Sequence, residues 1–252
     1  MRFRCFLAGA MLCLTLAQFA NAQGTNVATG RLRDVHRIVC LGDSITQGGE
    51  APGGYVWLIR RYLIALYPNI EVINAGISGH KSTDMLERFQ RDVLDKKPDL
   101  VMISVGVNDV WHGFYDNHPD GDGPRGVSLD DYTKNVEEMA RRAVAAGAKV
   151  VVLSTTVIHE DLQNRENAKL VGYNGALRTI ARKYNGGFVD FQKPFHALIT
   201  AYRATGARDN LLTVDGVHMN ALGNKVMAHS VLSGLDVPVE LRDSVRDAAE
   251  RH

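Results

Sequence analysis

Cysteine is scarce in this chain, and its scarcity limits the cross-links that can form. Three cysteines occur in 252 residues, and Cys5 and Cys13 lie within the first 22. If those residues are removed, Cys40 stands alone and no intramolecular disulfide is possible. Cys40 lies between apolar neighbours in RIVCLG, which predicts a buried and unreactive thiol.

Net charge is also small. The chain has 29 lysines and arginines against 28 aspartates and glutamates, which gives a formal net charge of +1. Nucleic acids and anionic membrane surfaces attract proteins through concentrated basic charge, so we expect neither as a partner. An apolar fraction of 45% with 23% charged residues is typical of an ordinary globular protein.

The N-terminus has the pattern of a secretory signal peptide. Arg2 and Arg4 precede an apolar run over about residues 5–17, and the sequence ANA at residues 20–22 is a small-x-small cleavage site. A spanning helix needs about 20 apolar residues, so this shorter run predicts no stable membrane insertion. We expect removal of residues 1–22 and export to the periplasm or the extracellular space.

The remainder is predicted to form one domain with short appendages. No repeat, low-complexity tract or linker interrupts residues 30–235, and this length suits one buried core. We expect an N-terminal extension over residues 23–35, one domain over residues 36–236, and a C-terminal tail over residues 237–252. The charged sequence of the tail favours a short surface helix.

Five short apolar runs predict the strands of a parallel sheet. They cover residues 37–42, 70–76, 100–106, 149–155 and 187–191. Each is rich in Val, Ile, Leu or Phe, as strands buried on both faces are. Longer amphipathic stretches alternate with them, which predicts an α/β fold with helices on both faces of the sheet.

The amphipathic stretches have recognisable start and stop signals. They cover residues 55–67, 82–97, 128–147, 166–184 and 220–233. Pro68 and Pro98 follow the first two stretches and predict their ends. Ser128 and Gly147 are typical caps for the third.

Polar side chains follow three of the predicted strands. The residues are Gly42, Asp43 and Ser44 after the first strand, Asn74, Gly76, Ser78 and Gly79 at the second, and Gly106, Asn108 and Asp109 at the third. Ligands of an open parallel sheet bind outside the carboxyl ends of its strands. We therefore expect these clusters to meet at one edge, with Asp215 and His218 of TVDGVHMN added later in the chain.

Four of these blocks together resemble the GDSL or SGNH hydrolase family. They are GDSIT with Ser44, NAGISGH with Gly79, GVND with Asn108, and DGVH with Asp215 and His218, in the order the family has them. The resemblance spans residues 38 to about 225. It implies a three-layer α/β/α sandwich around a central, mostly parallel five-stranded sheet of flavodoxin-like type. It also implies hydrolysis of esters or thioesters without a metal or an organic cofactor.

The chemistry of acyl transfer requires such a set of residues. A serine hydroxyl becomes an effective nucleophile when an adjacent base takes its proton. His218 is the candidate base for Ser44, and Asp215 would hold the imidazole in the required tautomer. Two simpler interpretations stay open from the residues alone. Ser44 can serve as a helix cap, and Asp215 can form a turn beside an exposed His218.

The resemblance implies an oxyanion hole for the charge that develops on the substrate. Its donors would be the backbone N–H groups of Ser44 and Gly79 and the side-chain amide of Asn108. Glycine at position 79 would let the backbone approach the substrate closely. Asn108 offers an uncharged donor, although closing the turn after its strand is an alternative role.

Other residues are candidates for contact with the substrate. Asp43 is expected to shape the turn beside the nucleophile, and His80 either lines the site or lies exposed at a helix start. The loop over residues 111–126 is long for a connection of this type, and long ordered loops tend to be functional. Trp111, Phe114 and Tyr115 form one wall of the cleft or, alternatively, pin the loop to the core.

The same loop resembles the start of a calcium site, which we reject. Asp116, His118 and Asp120 with Gly121 have suitable spacing, but Val127 occupies the position at which a bidentate glutamate is needed. A solvated acidic loop is the preferred interpretation, and no metal is expected.

The sequence thus predicts an exported serine esterase that acts through an acyl-enzyme. Short acyl groups, above all acetyl esters on carbohydrates, are the favoured substrates. The alternatives are a lysophospholipase, thioesterase or arylesterase, and a catalytically silent carbohydrate-binding protein of the same fold. Oligomeric state cannot be predicted from the chain.

Overall fold

The computed structural model describes residues 28–251, which fold around one parallel sheet. The five strands are β1 (Arg37–Gly42), β2 (Glu71–Gly76), β3 (Leu100–Ser104), β4 (Lys149–Leu153) and β5 (Gly187–Val189). The α-helices of this part of the chain are α1 (Ser44–Gly48), α2 (Tyr55–Leu66), α3 (Ser82–Asp92), α4 (Val107–Trp111), α5 (Leu129–Ala145), α6 (Arg165–Lys183), α7 (Gln192–Ala204), α8 (Ala221–Gly234) and α9 (Val239–Glu250). The signal segment predicted over residues 1–22 lies outside the described residues.

The sheet confirms the fold class and all five predicted strands. Its strand order is β2-β1-β3-β4-β5, and every neighbouring pair is parallel. The Cα register pairs Gly42 with Gly76 at the carboxyl ends of β1 and β2. The strand order reverses between β1 and β3, because β2 lies on one side of β1 and β3 lies on the other. Such folds bind ligands in the crevice beyond the carboxyl ends of these two strands.

The helices form two groups that cover the sheet. The first group is α2, α8 and α9, and the second is α3, α5 and α6. Crossovers between parallel strands are right-handed, so the connection from β1 to β2 and the connection from β2 to β3 place α2 and α3 on opposite faces. The apolar side chains of the strands lie between these layers and form the core.

The predicted helices are found, with one difference in the second. Ser128 caps α5 by accepting a hydrogen bond from Asp131 N at 3.2 Å. The prediction of one helix over residues 82–97 is wrong beyond Asp92. Val93 leaves the helical region with φ −121°, a short 3₁₀ turn follows, and Lys97 takes the left-handed φ of 52°. The chain turns there because it must enter β3.

The C-terminal residues form a helix that packs against the domain. Helix α9 lies along α2, and Ala249 near its end is buried. At the other end of the chain, Leu32 and Val35 are buried although they precede β1. Cys40 is buried in β1, as its apolar neighbours predict. Within residues 28–251, no helix has the length and apolarity to cross a membrane.

Candidate active site

Ser44 lies at the first position of α1, directly beyond the carboxyl end of β1. The cap of this helix is Asp43, whose Oδ1 accepts a hydrogen bond from Ile45 N at 2.9 Å. Because Asp43 occupies the capping position, the hydroxyl of Ser44 is available for another partner. That partner is His218.

A continuous row of hydrogen bonds joins Ser44 to His218 and Asp215. His218 Nε2 lies 2.9 Å from Ser44 Oγ, and His218 Nδ1 lies 2.7 Å from Asp215 Oδ2. A carboxylate only accepts, so we assign the imidazole proton to Nδ1. Nε2 is then a free acceptor for the serine hydroxyl. This is the tautomer that a general base requires.

Asp215 is held in its turn by the backbone that follows it. Its Oδ1 accepts hydrogen bonds from Val217 N at 3.0 Å and His218 N at 2.8 Å. Partial burial raises the pKa of this carboxyl, but the hydrogen bonds from His218 and Val217 outweigh burial and lower it to about 2. Asp215 therefore stays ionised at every pH near neutrality.

Gly79 lies in the exposed loop after β2. Its φ is +77°, a conformation that side chains rarely adopt, while a Cβ there would meet no heavy atom within 4 Å. The need for glycine is therefore conformational, because the loop passes through the left-handed region. Ser78 N, one residue earlier, donates to Gln47 Oε1 at 2.7 Å and ties the loop to α1.

Asn108 lies on α4 after β3 and is almost fully buried. Its Nδ2 donates to the carbonyl of His80 at 3.1 Å, next to Gly79. An amide nitrogen carries two N–H groups, so one remains for a substrate oxygen. The structure thus brings Asn108 and the loop of Gly79 together, as the strand-end argument predicts.

Arg88 is a residue of this region that the sequence analysis did not identify. Its guanidinium is buried and donates to the carbonyls of Gly42 at 2.9 Å and Ala75 at 2.8 Å. It also donates to His80 Nδ1 at 3.0 Å and pairs with Asp92 at 3.2 Å. One side chain therefore connects the ends of β1 and β2 with the loop of the expected oxyanion donors.

His80 is constrained by this contact. Burial and the charge of Arg88 lower the pKa of the imidazole. Because Nδ1 accepts from Arg88, the proton of the neutral ring lies on Nε2. His80 is therefore suited to donating a hydrogen bond, and it is poorly suited to acting as a second base.

Two buried carboxyls flank the centre. Burial raises the pKa of Asp43 to about 6, against the lowering effect of the hydrogen bond from Ile45. Burial also raises the pKa of Asp109 to about 6, and its Oδ1 accepts from Ser82 N at 2.9 Å. Both residues fix backbone at the strand ends, and burial keeps them from direct contact with solvent.

Aromatic rings form a cluster beside α4. We use the term aromatic wall for Trp111, His112, Tyr115 and His159. Trp111 meets the rings of Tyr115 and His159 edge-on, at centroid distances of 5.7 and 6.0 Å. His112 stacks on Tyr115 at 5.0 Å. His159 also packs against Gly216, next to Asp215, so the wall extends to the turn that carries the acid.

Phe114 has a different position from the other two aromatic residues of the predicted wall. A Cβ at Gly121 would lie 2.3 Å from the Phe114 ring, and Lys169 Nζ lies 5.9 Å from the centroid of that ring. Phe114 thus packs within its own loop and against α6. Trp111 and Tyr115 are the two that share one cluster.

The residues of the rejected calcium site have separate partners. Asp116 faces Arg125 at 3.6 Å, and Asp120 pairs with Arg165 at 3.2 Å. Over residues 28–251, no group of three His, Cys, Asp or Glu side chains could hold a metal ion.

The GDSL-like lipase/acylhydrolase family matches residues 40–226, which include all four sequence blocks. An acetylxylan esterase of Geobacillus stearothermophilus is 29% identical over 214 residues, covering 78% of this chain and 92% of that protein. Esterase TesA of Pseudomonas aeruginosa is 31% identical over 149 residues, covering 58% of this chain and 61% of that protein. The solved acetyl xylan esterase AlAXEase is similar with a TM-score of 0.71 and 31% identity, covering 78% of this chain and 98% of that chain.

Proposed function

Since the chain belongs to the GDSL-like lipase/acylhydrolase family and is a carboxylic ester hydrolase, we propose that Ser44 is its nucleophile and that hydrolysis proceeds through an acyl-enzyme. The observation that carries the proposal is the hydrogen-bonded row from Ser44 through His218 to Asp215. A serine attacks esters efficiently when a base with the correct tautomer lies within hydrogen-bond distance.

The proposed reaction moves one proton along the hydrogen bond between Ser44 and His218. His218 Nε2 takes the proton of Ser44 as Oγ attacks the ester carbonyl, and the same nitrogen then gives that proton to the departing alcohol. Water repeats the sequence on the acyl-enzyme and releases the acid. Asp215 holds the ring and stabilises the imidazolium that forms in each half of the reaction.

The oxyanion is stabilised by donors from three strand ends. We assign this role to the backbone N–H groups of Ser44 and Gly79 and to the free N–H of Asn108. Burial of Asn108 and its hydrogen bond to His80 O support the assignment, because they fix the amide before the substrate arrives. Loss of one such donor costs about 3 kcal/mol of transition-state stabilisation.

We assign acetyl esters of carbohydrates as the favoured substrates. The side chains of His218 and Asp215 are 41% and 52% exposed, which leaves room for a bulky alcohol. The aromatic wall offers flat apolar faces beside the turn of Asp215, a common lining of small-molecule sites. Asp43 contributes by capping the helix of the nucleophile, and His80 contributes through its carbonyl, which holds the amide of Asn108. The relatives named as acetylxylan esterases support the same choice.

A second candidate is hydrolysis of larger apolar esters, by an arylesterase, thioesterase or lysophospholipase. Val214, next to Asp215, is 68% exposed and would favour contact with an apolar group. The two candidates predict opposite preferences for acyl length and for the alcohol.

We also propose that the protein is exported. The basic residues, the short apolar run and the small-x-small site within residues 1–22 support it. Polymeric glycans lie outside the cell, so an exported enzyme would meet acetylated polysaccharides there.

The experiment compares the wild-type protein with Ser44→Ala and His218→Ala. The substrates are p-nitrophenyl acetate, p-nitrophenyl octanoate and acetylated xylan, and circular dichroism reports the fold. We expect the wild type to prefer acetyl over octanoyl and to release acetate from xylan. Both variants are expected to lose kcat by roughly 10⁴-fold or more while remaining folded.

Trp111→Ala tests the aromatic wall within the same experiment. We expect kcat/KM on acetylated xylo-oligosaccharides to fall while p-nitrophenyl acetate is hydrolysed as before. Equal turnover by the wild type and Ser44→Ala would reject the catalytic assignment. A preference for octanoyl esters without acetate release from xylan would favour the second candidate.

A further inference from the structure

Glu160, in the connection between β4 and α6, is a buried carboxylate that the proposed reaction does not use. It is 3% exposed. Its Oε2 accepts from Leu211 N at 2.7 Å, and its Oε1 accepts from Leu212 N at 2.7 Å, Thr213 N at 2.8 Å and Thr213 Oγ1 at 2.8 Å. A side chain that accepts four hydrogen bonds fixes three consecutive residues of a segment about fifty positions away. That segment leads directly to Asp215.

Thr213 extends the contact into the turn of Asp215. Its hydroxyl donates to Glu160 Oε1 and accepts from Gly216 N at 3.2 Å. The hydroxyl hydrogen can point in one direction only, so the carboxylate of Glu160 orients the hydroxyl for the N–H of Gly216. The carboxylate thus acts on the residue that follows Asp215.

Hydrogen bonds join the two ends of the turn that carries Asp215 and His218. A small shift of residues 213–216 would therefore move both catalytic side chains. Val214 N donates to the carbonyl of His218 at 2.8 Å, and Thr213 pairs with Met219 across the turn. Gly216 has a φ of +95°, and a Cβ there would lie 2.6 Å from His159 Nδ1. The hydrogen bond from Gly216 N to Thr213 Oγ1 therefore holds part of the backbone between the acid and the base.

We propose that Glu160 is a positioning residue, which holds Asp215 and His218 in line with Ser44 through the hydroxyl of Thr213 and the N–H of Gly216. This inference rests on the proposed function, because it presumes that the row is catalytic. Glu160 touches no reacting atom, and its effect is to keep the imidazole within hydrogen-bond distance of the nucleophile. A misplacement of this kind lowers kcat more than it changes substrate binding.

The first test compares Thr213→Val with Thr213→Ser. Valine has nearly the shape of threonine but leaves Gly216 N and one lone pair of Glu160 without the hydroxyl. We expect kcat to fall about tenfold or more with KM changed by less than about twofold. Serine keeps the hydroxyl, and Thr213→Ser is expected to keep kcat within about threefold of the wild type. Glu160→Gln is a second variant, because its amide NH₂ would face at least one of the N–H groups of residues 211–213. We expect it also to lower kcat with KM changed by less than about twofold, and a wild-type kcat in this variant would count against the inference.

A spectroscopic measurement separates positioning from general loosening of the fold. In the wild type and in Thr213→Ser, we expect a downfield proton resonance from the Nδ1–H of His218 bonded to Asp215. The resonance should shift or broaden in Thr213→Val and be absent in His218→Ala, which assigns it. An unchanged resonance together with an unchanged kcat in Thr213→Val would overturn the inference.

A double-mutant cycle provides the decisive comparison. If Thr213 and Glu160 act through His218, Thr213→Val should change the residual activity of His218→Ala by less than about twofold. A full additional loss in that background would mean that the turn acts elsewhere, and the inference would fail. If His218→Ala itself keeps wild-type activity, the proposed function fails. If His218→Ala is inactive while Thr213→Val has wild-type activity, this inference fails alone.

Discussion

Asp109 is a buried carboxyl beside Asn108, and its titration makes the stability of the fold depend on pH. Burial raises its pKa in the folded protein to about 6, above the ordinary value of 3.8. The folded state therefore binds a proton more readily than the unfolded state between these values. Keeping the buried carboxyl ionised lowers the free energy of unfolding above about pH 6, and this cost disappears as the pH falls toward 4.

We expect the wild type to gain stability relative to Asp109→Asn on acidification from pH 7 to pH 4. The gain is at most about 3 kcal/mol, since a shift of one pKa unit corresponds to 1.36 kcal/mol. The asparagine keeps an oxygen for Ser82 N but cannot titrate. Urea unfolding of both proteins at several pH values measures the difference. A difference that stays constant with pH would contradict the account.

Arg88 holds four acceptors that a lysine could not reach together. Lysine has one ammonium group in place of the guanidinium, so it cannot reach Gly42, Ala75, His80 and Asp92 together. We expect Arg88→Lys to lower the unfolding free energy by about 2–4 kcal/mol and to lower kcat, because buried acceptors lose their donors.

The matched control for Arg88→Lys is Arg91→Lys on the same helix. The side chain of Arg91 is 73% exposed, and its contact is with Asp92 at the surface. We expect Arg91→Lys to leave kcat unchanged and to leave the unfolding free energy near that of the wild type, because solvent screens an exposed ion pair. Equal effects of the two substitutions would contradict the role assigned to Arg88.

Sequence reasoning reached the residues at the ends of the first three strands but missed Arg88 and Glu160. Ser44, His218 and Asp215 were accessible because their short motifs follow strands or precede a helix. Arg88 looks like any other charged residue on an amphipathic helix, and only its burial against two strand ends reveals its role. Glu160 lies in the connection that follows β4, and only its burial and its four hydrogen bonds reveal its role.

At the scale of elements, the close contact of α1 with β2 positions the nucleophile. A Cβ at Gly76 would lie 2.2 Å from Gln47 N, where no atom can be accommodated without moving the backbone. Because α1 begins at Ser44, displacement of this helix would change the distance from Ser44 Oγ to His218 Nε2. The glycine at the end of β2 therefore sets the position of the hydroxyl.

We expect Gly76→Ala to lower stability by about 1–3 kcal/mol and to lower kcat sharply, because overpacking shifts the backbone. Gly48→Ala is the matched control. Gly48 lies in α1, the helix that Gly76 contacts, and a Cβ at Gly48 would meet no heavy atom within 4 Å. That variant should keep wild-type kcat. Thermal unfolding and hydrolysis of p-nitrophenyl acetate test both. Wild-type activity in Gly76→Ala would contradict this arrangement.

Elements differed in how well the sequence predicted them. Strands and long helices were predicted closely because apolar runs and periodic stretches of that length have a clear signal. Helices α1 and α4 have five residues each, too few to show a period, and they form because the chain must turn at the strand ends. The break after Asp92 was also missed, since Pro98 marks the entry to β3 and not the end of α3.

At the scale of the whole molecule, Glu250 fastens the C-terminal helix to the domain. It accepts from Tyr62 on α2 at 2.7 Å and from Lys225 on α8 at 2.7 Å, and it lies 3.1 Å from His229. Partial burial raises the pKa of this carboxyl, but the hydrogen bonds from Lys225, Tyr62 and His229 outweigh burial and lower it from 4.5 to about 2. No sequence pattern indicated this contact, because it joins residues about 190 positions apart.

A carboxyl whose pKa is lowered by folding stabilises the folded state at any pH above its pKa in the unfolded state. For Glu250 this stabilisation is lost as the pH falls from about 4.5 toward 2. We expect Glu250→Gln to lower the unfolding free energy at pH 7 by up to about 3 kcal/mol, with the difference shrinking below pH 4.5. Kinetic parameters of the folded variant should stay near those of the wild type. Chemical unfolding across pH 2–7 tests the prediction, and a difference that grows on acidification would contradict it.

Distant segments of the chain meet so that His218 activates Ser44. The intact mass of the protein after reaction with diisopropyl fluorophosphate, followed by peptide mapping, tests this directly. We expect one adduct per chain, located on Ser44, and a rate of labelling that falls by orders of magnitude in His218→Ala. Labelling at a different residue, or undiminished labelling of Ser44 in His218→Ala, would contradict it.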